Sequence, residues 1–174
     1  SDELSIQDYV PGDDRQLLSF HGFADERGQL LGSFVGRKER TWPPLTGESS
    51  FVELAHDEAP ARLGSELAAR LGLKGVFKMD FKRDPGDGRF YLLEINARFS
   101  LWTYLGAVNG LNLAGVAYDY LVYGAASAPA PHGTRYRWLK LPLDYKAFRA
   151  LRENGELGWA GWLRSVLLAP AVHH

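Results

Sequence analysis

Two short runs of this sequence place carboxylates where they could share a cation. Residues 76–82 read VFKMDFK and residues 90–96 read FYLLEIN. Side chains alternate sides along a strand. Phe77, Met79 and Phe81 then point one way, and Lys78, Asp80 and Lys82 the other. In the second run Tyr91, Leu93 and Ile95 form one face, and Leu92, Glu94 and Asn96 form the other. The turn between them centres near Asp87. Burying both apolar sets together sets the pairing parity, because a one-residue slip would expose one of them. That parity puts Asp80 opposite Glu94 and Lys78 opposite Asn96.

Two carboxylates directly opposite each other on a sheet repel, at a cost of about 0.2–1 kcal/mol. Either Lys78 and Lys82 neutralise them, or a cation sits between them. Magnesium suits the second arrangement, since it prefers carboxylate and amide oxygens and bridges protein to phosphates. A solvated charged face with an ordinary Lys–Asp–Lys pattern is the bland alternative. A metal-dependent hydrolase that activates water at Asp80 and Glu94 is a further one. It ranks last, because no His-rich ligand set or clear general base accompanies the pair.

Other chemistries are excluded or unsupported. Cysteine is absent from the 174 residues. This removes disulfides, thiolate nucleophiles and Cys-based zinc sites, and it fits a cytoplasmic setting. Basic residues number 20 and acidic residues 21, too even a balance for general nucleic-acid or membrane-surface binding. Neither a Gly-x-Ser-x-Gly elbow nor a Walker-type phosphate loop is present. His21, His56 and His132 stand apart with no ligand spacing, and Trp138, Trp159 and Trp162 read as core or interface aromatics. No apolar stretch approaches a membrane span of ~20 residues.

The elements that would position the carboxylates follow from periodicity and turn signals. Residues 4–10 read as a strand. Residues 16–24 and 29–38 read as a hairpin, with Gly28 supplying a positive φ. The prolines of residues 41–50 argue for a loop there. A helix is expected from Pro60 to about Leu71, ended by Gly72. After the strands 74–83 and 90–96 come helices over 100–109 and 113–123, then an Ala/Pro-rich linker over 125–133. A strand over 135–141 and helices over 144–153 and 157–168 complete the chain. Hairpins dominate, so the expected fold is α+β, an antiparallel sheet with flanking helices.

The run GVFKMDFKRDPGDGRFYLLEINARF resembles the metal-binding hairpin of the ATP-grasp superfamily: an acidic residue, a turn, then an apolar run ending in Glu-x-Asn-x-Arg. Members activate a carboxylate as an acyl phosphate with ATP and magnesium, then pass the acyl group to an amine or another nucleophile. The resemblance implies that Asp80, Glu94 and Asn96 bind magnesium, or manganese in its place, and that Arg98 faces the phosphates or the acyl phosphate. Members usually carry Glu at the first acidic position, where this chain has Asp80. IQDYVPG resembles the adenine hinge strand. This implies Gln7 near the adenine amino group, hinge hydrogen bonds from the backbone of Asp8 and Val10, and Asp14 at the ribose. VGRKERTWPPLTGESS resembles the strand that carries basic residues toward the triphosphate, with Arg37, Lys38 and Arg40 as candidates. On a regular strand Lys38 and Arg40 act together and Arg37 points away, or the reverse.

The resemblance implies that residues 1–124 are the C-terminal subdomain of an ATP-grasp enzyme and 125–172 an extension on the same lobe, with His173 and His174 read as tag residues. It further implies a carboxylate substrate, an amine acceptor, and a first lobe, with its glycine-rich loop, that this chain lacks. The piece alone is then expected to be inactive. A non-catalytic binding module with the same fold is the competing reading.

Overall fold

A computed structural model describes residues 8–125, 133, 135–167 and 171–173. The strands are β1 (Leu17–Ala24), β2 (Leu30–Trp42), β3 (Glu48–Leu54), β4 (Gly75–Arg83), β5 (Phe90–Asn96), β6 (Arg137–Leu139) and β7 (Ala171–His173). The helices are α1 (Glu58–Arg70), α2 (Tyr104–Val108), α3 (Leu113–Tyr123), α4 (Leu141–Glu153) and α5 (Trp159–Leu167). All seven strands join one sheet in the order β5-β4-β1-β2-β3-β6-β7. Every pairing is antiparallel except β6 with β7. The fold is therefore α+β, a mainly antiparallel sheet with flanking helices, as the hairpin-rich pattern predicts.

Alternation along β1 divides the core in two. Leu18, Phe20 and Ala24 face α1 and pack with Val35, Phe77, Met79 and Phe81. Phe20, Met79 and Phe81 are 0% exposed, and each such burial is worth about 1.5–3 kcal/mol. Phe23, on the opposite face, packs with Phe34, Val52, Trp102 and Leu105. Helix α1 starts two residues earlier than its proline suggests. Asp57 caps it by accepting from the Ala59 N–H at 3.1 Å, which leaves Pro60 in the first turn, where no N–H needs a partner. Gly64 lets α1 approach the sheet, since a Cβ there would stand 2.3 Å from Phe20 Cγ.

Several expectations are corrected. Residues 8–10 form no strand, and the rest of the expected 4–10 strand lies outside the described residues. The expected loop over 41–50 shrinks to the segment between β2 and β3. Trp42 and Glu48 still pair, so the prolines interrupt only the turn itself. The helix expected over 100–109 is reduced to α2. The strand expected over 135–141 is reduced to β6, with α4 starting at Leu141. Residues 126–132 of the expected linker, including His132, are outside the described residues. Among the described residues no helix is long and apolar enough to cross a membrane.

Candidate nucleotide and metal site

β4 and β5 pair with Asp80 opposite Glu94 and Lys78 opposite Asn96, the register that hydrophobic parity predicts. The parity argument holds only up to that point. A bulge follows Asp80, so Phe81 pairs with Leu92 and Lys82 with Tyr91. Tyr91, not Leu92, therefore joins the charged face. β5 is also an edge strand with both sides partly open: Tyr91, Leu92 and Ile95 are exposed. The burial that sets the register comes from β4, which is covered by β1 and α1, and not from two matched apolar faces.

β1 lies beside β4, and the pairings define rows across one face of the sheet. One row runs Glu94, Asp80, Ser19, Gly36. The next runs Asn96, Lys78, His21, Phe34. A third holds Tyr91, Lys82 and Leu17. Lys38 reaches in from β2, its Nζ 3.7 Å from Asp80 Oδ2.

Asp80 is the centre of charge. Ser19 donates its hydroxyl to Oδ1 in a short hydrogen bond. Lys78 Nζ donates to Oδ2 at 2.7 Å and lies 3.6 Å from Glu94 Oε1. One ammonium thus sits between the two facing carboxylates. Burial alone would raise the Asp80 pKa, but Lys38 and Lys78, with the hydrogen bonds from Lys78 and Ser19, lower it to about 2. Asp80 is therefore a fixed anion at neutral pH. Glu94 is 56% exposed on its side chain and free to turn toward a ligand. Lys82 is buried, lies 4.9 Å above the Tyr9 ring, and belongs to no ion pair among the described residues.

Two polar atoms of the second row are orphaned. Asn96 Nδ2 and His21 Nε2 are buried and make no hydrogen bond among the described residues. The His21 ring lies against Phe34 at 4.6 Å and Trp102 at 4.3 Å. Burial, then the Lys78 charge, lowers its pKa to about 3, so the imidazole is neutral. Buried polar groups in folded proteins normally have partners, and two orphans flanking a lysine point to a ligand-bearing surface. Lys78 takes the neutralising place that the Lys–Asp–Lys pattern offered. His21 and Ser19 were not among the sequence-derived site residues. Their signal lay in β1, whose pairing with β4 is not readable from either strand alone.

The remaining candidates separate. Lys38 joins the site. Arg40 does not, because a bulge at Glu39 shifts the register so that Arg40 pairs with Phe51 on the opposite face. There it donates to Asp144 through Nε at 2.7 Å and Nη2 at 2.9 Å, and to Ser165 Oγ at 3.1 Å. Lys38 and Arg40 therefore cannot act together. Arg37 also lies on that opposite side, between Leu18 and Glu53. Asp14 is buried and fully engaged, accepting from Thr41 N at 2.7 Å, Thr41 Oγ1 at 2.9 Å and Leu45 N at 2.7 Å. It holds Leu45 at φ 72, a strained value for a non-glycine residue, and both of its oxygens are already committed to the scaffold. Asp8 is exposed and Val10 half-buried in irregular backbone. Gln7 lies outside the described residues. Arg98 is exposed, with a long 3.5 Å contact from Nη1 to the Phe99 carbonyl. A cleft of about 460 Å³ between residues 12–15 and the end of α4 includes Asp14 and Arg40 in its lining. Both are already bonded to the protein.

The comparisons fit this geometry. Residues 19–142 match the family described as ATP-grasp in the biosynthetic pathway with Ter operon. A D-aspartate ligase of Enterococcus faecium (strain Aus0004) is 26% identical over 147 residues, 80% of this chain. The sheet and helices superpose on Rhizobium etli pyruvate carboxylase with a TM-score of 0.53 at 17% identity, over 67% of this chain. They also superpose on the biotin carboxylase domain of Hydrogenobacter thermophilus 2-oxoglutarate carboxylase, solved with MgADP, ADP and bicarbonate, with a TM-score of 0.52 at 16% identity over 70% of this chain. At these identities the two structures speak for the fold alone. The chain spans 35% of the ligase, and 12% and 27% of the two carboxylase chains.

Proposed function

The chain belongs to this ATP-grasp family, and on that premise we propose that its charged face carries the magnesium–ATP of a carboxylate–amine ligase. The observation that supports it is the ammonium of Lys78 lying between Asp80 and Glu94. It is a stand-in for a metal, showing that a positive charge has a place between these carboxylates. The donors fit magnesium, because Asp80 and Glu94 offer carboxylate oxygens and Asn96 an amide oxygen, the hard ligands this ion prefers. When bound, the ion supplies charge neutralisation at the phosphate oxygens.

The chain's own residues do the rest by position. Ser19 and Lys38 hold the Asp80 carboxylate in one orientation. Lys78, once displaced from the carboxylates, and Lys82, which has no carboxylate partner, face incoming phosphates. Arg98, two residues past Asn96 on the open edge, meets the developing negative charge. The backbone of Asp8 and Val10 borders the adenine. In the reaction the substrate carboxylate attacks the γ-phosphorus, ADP leaves, and the acyl phosphate transfers its acyl group to an amine with loss of phosphate. The name of the D-aspartate ligase relative supports an acid and an amine as the reacting pair. Turnover belongs to the longer ligase, since this chain spans 35% of that relative.

The test is Glu94→Gln in the ligase that contains this chain. Glu94 is exposed, so the thermal midpoint should stay unchanged while magnesium-dependent ADP release falls by at least about 100-fold, the scale of losing an electrostatic catalytic group. Retained turnover removes Glu94 from the mechanism.

A further inference from the structure

A second cavity adjoins the charged rows and has no role so far. β5 ends at Asn96, and the chain then leaves the sheet, so among the described residues the start of β4 has no strand beside it on that edge. Helix α3 covers the same face from the other side. The gap is a cavity of about 350 Å³ whose lining includes Phe23, Val76, Phe99, Ala117, Tyr120 and Leu121. Apart from the rim groups Asp25, Glu26 and Lys74, that lining is apolar. Asp25 is occupied in its own turn, accepting from Arg27 N and Gln29 N. Glu26 accepts from the Tyr120 hydroxyl. Lys74 is exposed and belongs to no ion pair among the described residues.

Register fixes where this cavity stands relative to the site. Phe23 pairs with Val76, and His21 pairs with Lys78. The two pairs are neighbouring rows on one face, about 7 Å apart at two residues of strand rise. A group seated on Phe23 and Val76 therefore has the row of His21, Lys78 and Asn96 one short step away. That row contains both orphaned polar atoms, His21 Nε2 and Asn96 Nδ2, and His21 is 2% exposed. Both atoms are covered, so an anionic oxygen resting beside the Lys78 ammonium would accept from the Asn96 amide, and from the His21 imidazole in its Nε2–H tautomer, once the side chains over them move aside. At about 350 Å³ the cavity is at the small end of ligand pockets, large enough for one amino-acid-sized side chain and too apolar to accept a second carboxylate without loss.

We propose that this cavity is the side-chain pocket for the acid substrate, and that it selects a carboxylic acid with an aromatic or branched aliphatic body whose carboxylate rests on the His21–Lys78–Asn96 row. The proposal rests on the ligase reading for the meaning of "substrate", but the binding event itself does not depend on nucleotide. It also separates this chain from its relative, whose named substrate, aspartate, carries a second carboxylate that the apolar lining disfavours.

The probes are 3-phenylpropanoate and succinate, which share a propanoate unit and differ in an apolar against a charged end. Each is titrated into the 174-residue chain, reading the methyl resonances of Val76 and Leu121. The aromatic acid should bind at least tenfold more tightly than succinate. Leu121 is 76% exposed, so Leu121→Glu can enter the rim without disturbing the core, and it should weaken the aromatic acid at least fivefold. His21→Phe keeps the aromatic stack and should bring the acid down to the affinity of 3-phenylpropanol. Equal affinity for the two acids overturns the proposal, as does an aromatic acid that ignores Leu121→Glu. Failure of the Glu94 turnover test would instead overturn the nucleotide assignment and leave this titration standing.

Discussion

Lys78 touches two carboxylates at once, and the Nε2 atom of His21 beside it has no hydrogen-bond partner among the described residues. The imidazole is the residue whose ionisation the fold opposes most directly. Lys78, Lys38 and Asp80 are the charged groups that face it, with Phe34 and Trp102 on its ring, and its pKa is lowered from 6.5 to about 3. The unfolded chain therefore binds one more proton than the folded chain between these values. Stability contributed by the neutral imidazole is complete above pH 6.5 and is lost as pH falls toward 3, with a slope of about 1.4 kcal/mol per pH unit. Asp80 loses its own contribution only below the ordinary carboxylate pKa of 3.8, down to about 2. Burial, then the Glu53 charge, raises the Glu39 carboxyl above its ordinary 4.5, which acts with the opposite sign in the window from pH 4 to 6.5, so His21 is read from the difference between the native chain and His21→Phe. Denaturant melts across that window should show the slope in the native chain and a flatter line in His21→Phe. An unchanged slope would move the titration elsewhere. At this scale the sequence was legible for Asp80, Glu94 and Asn96, whose spacing carries their pairing. It was silent on Ser19 and His21, which reach the site only through β1.

Elements decide which of the basic residues serve the site. One bulge at Glu39 leaves Lys38 on the charged face and sends Arg40 to the other, where it binds Asp144. Asp144 also accepts from Trp162 Nε1 at 2.8 Å and Ser50 Oγ at 3.1 Å, so one buried carboxylate ties β2 and β3 to α4 and α5. Asp144→Ala would leave the buried Arg40 guanidinium without its carboxylate, with only Ser165 Oγ still accepting from it, and the Trp162 N–H without its acceptor. Breaking such a pair costs about 3–5 kcal/mol, a fall in melting midpoint on the order of 10 °C for a chain of this size. Calorimetric melting checks it, and a shift below about 2 °C would mean that solvent reaches the pair. The alternation argument for Lys38 and Arg40 fails because a bulge adds one residue and reverses sides. Nothing in the local pattern GRKER announces it, and the partner strand β3 is what reveals it.

Over the whole molecule, the charged rows and the apolar cavity lie on one side of the sheet, and the Arg40–Asp144 cluster lies on the other. The chain spans 35% of its ligase relative, and phosphoryl transfer demands that nucleotide and acid be held together from several directions. The 174-residue chain alone should therefore form no magnesium-dependent ADP above the uncatalysed rate. A coupled assay for ADP checks this, with the longer ligase as positive control. Measurable turnover by the chain would mean that its one face suffices to position both reactants.

The sequence by itself determined the class of fold and the facing pairs Asp80–Glu94 and Lys78–Asn96, though not the bulge that follows Asp80. These depend on alternation and a turn between neighbours in the chain, so the information is local. Only the tertiary structure decided that β1 inserts between β4 and β2, bringing Ser19 and His21 beside Asp80 and Lys78. It also decided that Lys78 already lies between the carboxylates, that Asp14 and Arg40 are consumed by the scaffold, and that an apolar cavity opens where β5 ends. Each of these outcomes depends on strands and helices far apart in the chain, and burial of two faces of one sheet brings them together.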